Sequence, residues 1–156
     1  MSFARRSVTA IVPFFAIACA AATSPSSSGN GGGGPLPRFG HAVIVVEENH
    51  DFDQADSAHM PYLHSLMAQY GYATQYYANT HPSIGNYFVL TAGQIITNSD
   101  GYSATITEDN IVRHLVAAGK TWKSYAEDLP SVGYTGQKSG GYARKHNPLS
   151  FFSDVV

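Results

Sequence analysis

The chain has 156 residues, of which 44% are hydrophobic and 13% are charged, and it includes 15 glycines and 8 prolines. This composition is typical of one soluble globular domain and excludes a coiled coil, a collagen-like repeat and a wholly disordered protein. The net charge of −2 comes without a basic cluster, which argues against a protein that binds the phosphate backbone of nucleic acids.

The N-terminal segment has the pattern of an export signal. Arg5 and Arg6 precede an uncharged run at residues 10–22, which ends in small side chains. This run is shorter than the roughly 20 apolar residues that a membrane-spanning helix needs. We therefore expect residues 1–22 to be a secretory signal peptide and the protein to be exported, either to the periplasm, to the cell surface or into the medium.

Cys19 is the only cysteine, so the chain forms no internal disulfide bond. It ends the tetrapeptide AIAC at residues 16–19, which looks like a bacterial lipobox. Residues 23–37 are rich in serine, proline and glycine, and such a segment behaves as a flexible tether. The pattern predicts a lipid anchor on Cys19, and the alternative is an ordinary signal cleaved near residues 20–22.

The first half of the remaining chain alternates between strand-like and helix-like patterns. The apolar run at residues 41–46 is rich in β-branched side chains, which predicts a strand buried on both faces of a parallel sheet. Residues 57–70 have helical spacing and end at Gly71, and residues 72–78 form a second strand candidate. Residues 79–82 predict a turn, because the residue before a proline disfavours helix.

The second half continues the alternation. Residues 86–91 are strand-like by residue type, but their position after the turn favours a short helix. Thr107 is the predicted N-cap of a helix that continues to residue 118, and residues 121–126 form a third strand candidate. This order of elements predicts an α/β layered fold with a mainly parallel sheet.

Two polar segments lie at positions where proteins with such a fold bind ligands. Glu48 and Asn49 follow the first predicted strand, and ligands bind at the carboxyl ends of strands in open α/β sheets. Their side-chain oxygens suit a hard cation, whereas a solvated acidic loop is the alternative. Ser83 lies where the turn enters a helix, so its hydroxyl either meets a phosphate at the positive helix end or acts as an N-cap.

Seven motifs in one order resemble bacterial phosphoesterases of the acid phosphatase and phospholipase C type. They are EENHDFD (47–53), MPYL (60–63), THPS (80–83), NY (86–87), LTAG (90–93), KSYAED (123–128) and YARKHNP (142–148). These proteins belong to the alkaline phosphatase-like superfamily, so the resemblance implies a three-layer α/β/α fold with a mainly parallel sheet. It also implies hydrolysis of phosphate esters with help from a divalent metal ion.

The resemblance assigns a role to several residues. It implies that Glu48 and Asn49 bind the metal ion and that Ser83 is both a metal ligand and the nucleophile. The residues implied to bind substrate are His146, Lys145, Asn86 and His81, of which the last has a turn-stabilising role as its alternative.

The resemblance covers residues 38–156, which it implies to be the N-terminal portion of a phosphoesterase domain. Family members continue further and supply additional metal-binding aspartates, so we expect a fragment or a truncated product. The expected function is acid phosphatase-like hydrolysis of a small phosphate ester. The alternatives are a phospholipase C-like phosphodiesterase and a non-catalytic remnant.

Overall fold

The computed structural model describes residues 12–16, 40–55 and 57–156, and of residues 12–16 it describes only the backbone. These residues divide between Tyr77 and Ala78 into two compact units, called here the N-terminal unit and the C-terminal unit. Apart from the backbone of residues 12–16, the predicted signal peptide, lipid anchor and tether lie outside the described residues. No helix in the described part of the chain has the length and apolar character needed to cross a bilayer.

The N-terminal unit contains one antiparallel strand pair. Strand β1 (Val12–Ala16) pairs with β2 (Val43–Glu47), so that Val12 lies opposite Glu47. The predicted strand is confirmed in place, but its expected burial in a parallel sheet is wrong. Val43 and Ile44 are 55% and 53% exposed. Apolar β-branched residues favour the extended backbone, whereas burial depends on layers that a two-stranded ribbon lacks.

Helix α1 (Pro61–Tyr70) lies in the N-terminal unit and confirms the helix predicted at residues 57–70, except for its first turn. It starts later because proline favours the first helical position, where its missing N–H is not needed. Gly71 ends the helix with a φ of 95° and donates its N–H to the carbonyl of Met67 at 2.9 Å.

Two predicted strands are wrong. Residues 72–78 form a bend and irregular backbone, and residues 121–126 are irregular, because strand-like residue types do not become strands without a neighbour to complete the hydrogen-bond ladder. The C-terminal unit instead has a short antiparallel pair of β3 (Lys138–Ser139) and β4 (Tyr142–Ala143). The described residues thus form a mixed α/β structure.

Helix α2 (Ser83–Ala92) belongs to the C-terminal unit and confirms the short helix predicted at residues 86–91. It begins directly after Pro82 and ends at Gly93, which has a left-handed φ of 71°. Five consecutive residues near its start, from Ile84 to Phe88, are buried. This helix is therefore anchored mainly through its first half.

The core of the C-terminal unit consists of large apolar side chains that are almost fully buried: Ile84, Phe88, Ile106, Phe151 and Phe152. The ring of Phe88 packs edge-to-face on Phe151, with 5.5 Å between ring centroids. Ile106 forms a parallel β-bridge with Phe152. The end of the described chain therefore closes the core around α2.

Helix α3 (Ile111–Ala117) begins four residues after the predicted N-cap. Asn110, not Thr107, is the cap, and its side-chain oxygen accepts a hydrogen bond from the backbone N–H of Arg113 at 3.1 Å. The predicted cap is wrong because Asn110 has a second partner distant in sequence. Its Nδ2 donates to Asp154 at 3.0 Å.

Asp154 links the end of the described chain to the start of α3. Nε of Arg113 donates to the Asp154 carboxylate at 2.8 Å, and Asn110 donates to the other carboxylate oxygen. The hydrogen bond from Arg113, followed by the weaker one from Asn110, holds the pKa of Asp154 below its ordinary value against an opposing effect of burial. The ionised carboxylate is therefore the form that the folded chain favours.

We expect Asp154→Asn to destabilise the protein by up to about 1 kcal/mol near pH 7, the scale of a partly exposed ion pair. Because the folded pKa lies below the unfolded value, this stabilisation is complete above about pH 4 and is lost as the pH falls through the folded pKa. Urea unfolding at neutral and acidic pH measures the difference, with Asp53→Asn at an exposed carboxylate as control. A difference between Asp154→Asn and wild type that is independent of pH would contradict the assignment.

Candidate functional site

Ser83 is the first residue of α2 and is half-buried. Pro82 takes the N-cap position, so the alternative that Ser83 is itself the N-cap is wrong. The free backbone N–H groups of a first helical turn carry partial positive charge. The Ser83 hydroxyl therefore lies at the end of α2 that favours an anion.

The side chain of Asn86 holds the turn that precedes Ser83. Its Oδ1 accepts hydrogen bonds from the backbone N–H groups of Asn79 at 2.8 Å and Thr80 at 3.2 Å. Its Nδ2 donates to the carbonyl oxygen of Thr80 at 2.7 Å. Asn86 is 7% exposed. This buried amide therefore ties the turn to the helix by three hydrogen bonds.

Gly85 allows two neighbouring segments to approach the first turn of α2 closely. A Cβ atom at Gly85 would lie 2.3 Å from Oδ1 of Asn98 and 2.5 Å from the methyl group of Thr80. Both distances are shorter than any ordinary contact, so only glycine fits this backbone without a shift of its neighbours. The absence of a side chain at Gly85 thus permits the turn and the segment at residues 97–98 to lie against the helix.

His146 lies beside the helix face that carries Ser83. Its ring centroid is 5.7 Å from that of Tyr87, with a tilted ring packing. Tyr87 follows Ser83 by four residues on α2, a spacing that places both on the same side of a helix. His146 is exposed, which leaves its ring accessible from solvent.

Arg144 anchors the 3₁₀ turn Arg144–His146, which carries His146. Its guanidinium is buried and donates to the carbonyl of Ser150 at 2.7 Å and to that of Ser103 at 3.2 Å. It also stacks on the ring of Phe151, 4.1 Å from the centroid. Burial lowers the pKa of Arg144, but a guanidinium stays charged in proteins. A buried positive charge therefore fixes the start of the turn that carries His146.

Lys145 is held by Asp100, whose Oδ2 accepts a hydrogen bond from Nζ at 2.6 Å. The side chains are 30% and 34% exposed, respectively. Oδ1 of Asp100 is buried without a hydrogen-bond partner among the described residues, so Lys145 is the main compensation for this carboxylate. The predicted substrate-binding lysine therefore already has an anionic partner.

His81 lies in the turn that precedes α2 and is exposed. The predicted turn at residues 79–82 is confirmed, and it leads directly into Ser83. The C-terminal unit thus places His81 in the turn before α2, and Ser83 and Asn86 in the first four residues of that helix.

Glu48 and Asn49 directly follow β2 in the N-terminal unit, where Glu48 is half-buried and Asn49 is exposed. Their side-chain oxygens, like the hydroxyl of Ser83 in the C-terminal unit, are donor types that suit a hard divalent cation. Among residues 40–55 and 57–156, no cluster of three or more histidine, cysteine or acidic side chains is arranged to hold a metal ion. The donor chemistry fits such a cation, and a full shell of about six oxygens needs further ligands.

Two features of the site, Arg144 and Asp100, were missed by sequence reasoning. Arg144 lies in the YARKHNP motif, but nothing in the motif distinguishes a buried arginine from an exposed one. Asp100 stands in an Asn-Ser-Asp-Gly segment that reads only as a turn, and its partner is 45 residues away. The four-residue spacing of Ser83 and Tyr87 is a signal that could have indicated their shared helix side.

Comparison with known proteins gives consistent matches. A model of the Phosphoesterase family matches residues 54–156. A phosphatidylinositol-3-phosphatase of Mycobacterium tuberculosis is 41% identical over 129 residues, which cover 77% of this chain and 41% of the relative. The "Probable acid phosphatase" of Kluyveromyces lactis is 33% identical over 128 residues, which cover 76% of this chain and 30% of the relative.

A phosphate-repressible acid phosphatase of Penicillium chrysogenum is 33% identical over 125 residues, which cover 76% of this chain and 30% of that relative. The chain thus spans well under half the length of these relatives. No solved structure matches it. Since the family match extends over most of the chain and includes Ser83, Asn86 and His146, the chain belongs to the phosphoesterase family.

Proposed function

We propose that this chain carries the nucleophile of a phosphatase and that the Ser83 hydroxyl attacks the phosphorus of a phosphate monoester. One observation carries the proposal: Ser83 opens a helix whose next five residues are buried. Its hydroxyl is thereby held at the positive end of α2, where a phosphate dianion is stabilised. Relatives named as phosphatases support the same reaction.

The proposed reaction has two steps. In the first step, the Ser83 oxygen bonds to phosphorus, the bond from phosphorus to the leaving oxygen breaks, and the serine proton passes to the departing alkoxide. In the second step, water bonds to phosphorus, the bond to the Ser83 oxygen breaks, and a proton of that water returns to Ser83. The products are an alcohol and inorganic phosphate, and Ser83 is regenerated.

The neighbouring basic side chains receive the phosphate in this proposal. His146 packs on Tyr87, which shares a helix side with Ser83, and His146 is exposed; in this proposal it donates a hydrogen bond to a phosphate oxygen. Lys145 contributes positive charge that is partly balanced by Asp100. His81 borders the same end of α2 from the preceding turn.

The family resemblance implies Glu48, Asn49 and Ser83 as ligands of a divalent cation, and the oxygen donors of these side chains suit such a cation. Such a cation supplies Lewis acidity, which favours the deprotonated form of a serine hydroxyl at neutral pH. A serine hydroxyl is a weak nucleophile without that assistance. We further propose that the whole protein has the three-layer α/β/α fold with a mainly parallel sheet.

The proposed substrate class is the phosphate monoester, in line with relatives named as acid phosphatases. A second candidate is phosphatidylinositol 3-phosphate, which is itself a monoester on its inositol ring. It is favoured by the 41% identity to a relative named for that substrate, against 33% for the acid phosphatases.

We expect Ser83→Ala to lower kcat at least about a thousandfold, because the variant has no oxygen to form the bond to phosphorus. Hydrolysis of para-nitrophenyl phosphate measures this loss, and mass spectrometry after acid quench detects the phosphoseryl group in wild type. Ser65→Ala, which removes an exposed hydroxyl on α1, is the control. Undiminished turnover of Ser83→Ala would remove Ser83 as the nucleophile.

We expect chelation to abolish hydrolysis and added Mg²⁺, Ca²⁺, Mn²⁺ or Zn²⁺ to restore it. Glu48→Gln should raise the metal concentration that gives half-maximal activity at least about tenfold, because it replaces a carboxylate ligand by a neutral one. Glu47→Gln, at the exposed neighbouring position, provides the matched control. Equal metal requirements in the two variants would argue against Glu48 as a ligand.

We expect kcat/KM for para-nitrophenyl phosphate to exceed that for bis(para-nitrophenyl) phosphate at least about tenfold, a discrimination of the size that a binding site readily provides. Release of inorganic phosphate from vesicles containing phosphatidylinositol 3-phosphate tests the second candidate. A higher rate on the diester would favour the phospholipase C-like alternative. No hydrolysis of any substrate by the metal-supplemented protein would favour the non-catalytic alternative.

A further inference from the structure

We propose that Asn86 is a positioning residue for the nucleophile: it touches neither the phosphate nor the leaving group, and it fixes the turn that sets the orientation of Ser83. The proposal rests on the function proposed for Ser83. It assigns to Asn86 a role different from the substrate contact that the family resemblance implied.

The hydrogen-bonding capacity of Asn86 is used almost entirely within the protein. An asparagine side chain has two acceptor positions on its oxygen and two N–H donors. Both acceptor positions are filled by the N–H groups of Asn79 and Thr80, and one donor is given to the carbonyl of Thr80. At 7% exposure, the amide offers a substrate no open face. Direct recognition of phosphate is therefore disfavoured.

The three hydrogen bonds enclose Ser83 in a short loop of chain. Thr80 lies three residues before Ser83, and Asn86 lies three residues after it. Asn86 thus ties the turn before the serine to the helix after it. The methyl group of Thr80 lies so close to Gly85 that a Cβ there would be 2.5 Å away, which shows how tightly the turn rests on the helix. The backbone around Ser83 is fixed from both sides.

Positioning of this kind matters for in-line attack on phosphorus. A displacement of about 1 Å of a reacting group lowers a rate about a hundredfold, because the near-attack geometry is lost. Removal of the Asn86 amide releases the turn and also leaves the backbone N–H groups of Asn79 and Thr80 and the carbonyl of Thr80 without this partner. The structural disturbance is centred three residues from the attacking oxygen.

The chain contains a matched control in Asn110. It is 2% exposed, and its amide also makes one bond to a backbone N–H and one to another part of the chain, at Asp154. Replacement by alanine at either position removes a buried asparagine that organises a helix start. A loss of general stability therefore affects both variants, whereas a loss of Ser83 orientation affects only Asn86→Ala.

The test compares the wild-type chain, Asn86→Ala and Asn110→Ala in steady-state hydrolysis of para-nitrophenyl phosphate and in thermal unfolding. We expect both variants to lose stability, and only Asn86→Ala to lose about a hundredfold in kcat with KM changed by less than about threefold. Equal kcat losses in the two variants would overturn the proposal, as would a loss in Asn86→Ala that resides in KM.

Amide hydrogen exchange, measured by NMR, gives a second readout that does not require turnover. The N–H groups of Asn79 and Thr80 lose their acceptor in Asn86→Ala, so they should exchange at least about tenfold faster in it than in wild type or in Asn110→Ala. Unchanged exchange in Asn86→Ala would overturn the proposal. An inactive wild type, or an active Ser83→Ala, would instead count against the proposed function itself, so the two failures are distinguishable.

Discussion

The packing of Phe88 is the constraint on which the C-terminal unit depends. Its ring meets Phe151 edge-to-face at 5.5 Å and Phe152 at 6.3 Å, and all three side chains are fully buried. Aromatic pairs in this geometry stabilise a core beyond the area that they bury. Because Phe88 belongs to α2, the same contacts that build the core also set where Ser83 lies. The end of the described chain, far from Ser83 in sequence, is thereby required for its placement.

A buried charge connects this core to the surface of the site. Arg144 stacks on Phe151 and donates only to neutral oxygens, so its desolvation is compensated by hydrogen bonds and ring contact and not by a carboxylate. A lysine would lack both the planar stacking and the geometry for several carbonyl oxygens. The segment Arg144–His146 thus combines an internal anchor with an exposed imidazole two residues later.

Sequence reasoning succeeded where the relevant interaction is local. The helices now seen as α1 and α2 follow from spacing, from proline before or at the first position and from glycine at the end, all of which act within a few residues. It failed for the strands predicted at residues 72–78 and 121–126, because strand formation depends on a partner distant in sequence.

The same distinction between local and distant interactions decides which residues of the C-terminal unit could be predicted. The position of Ser83 at a helix start was predictable because a turn and the start of a helix depend on local sequence. The true cap of α3, Asn110, was missed because Asp154, 44 residues away, helps to select it. The hydrogen bonds of Asn86 to the preceding turn were not predictable either, since the sequence does not show whether an asparagine in a motif contacts a ligand or the backbone.

The structural roles of the residues in the first half of α2 limit which substitutions this helix can accept. Ile84 and Phe88 are committed to the core, Gly85 to close backbone approach and Asn86 to the preceding turn, so the first half of the helix has almost no position that tolerates change. Residues 119–125 are exposed throughout and lie outside any helix or strand. Substitutions that alter specificity in a laboratory library are therefore better tolerated in surface segments of this kind than in the first half of α2.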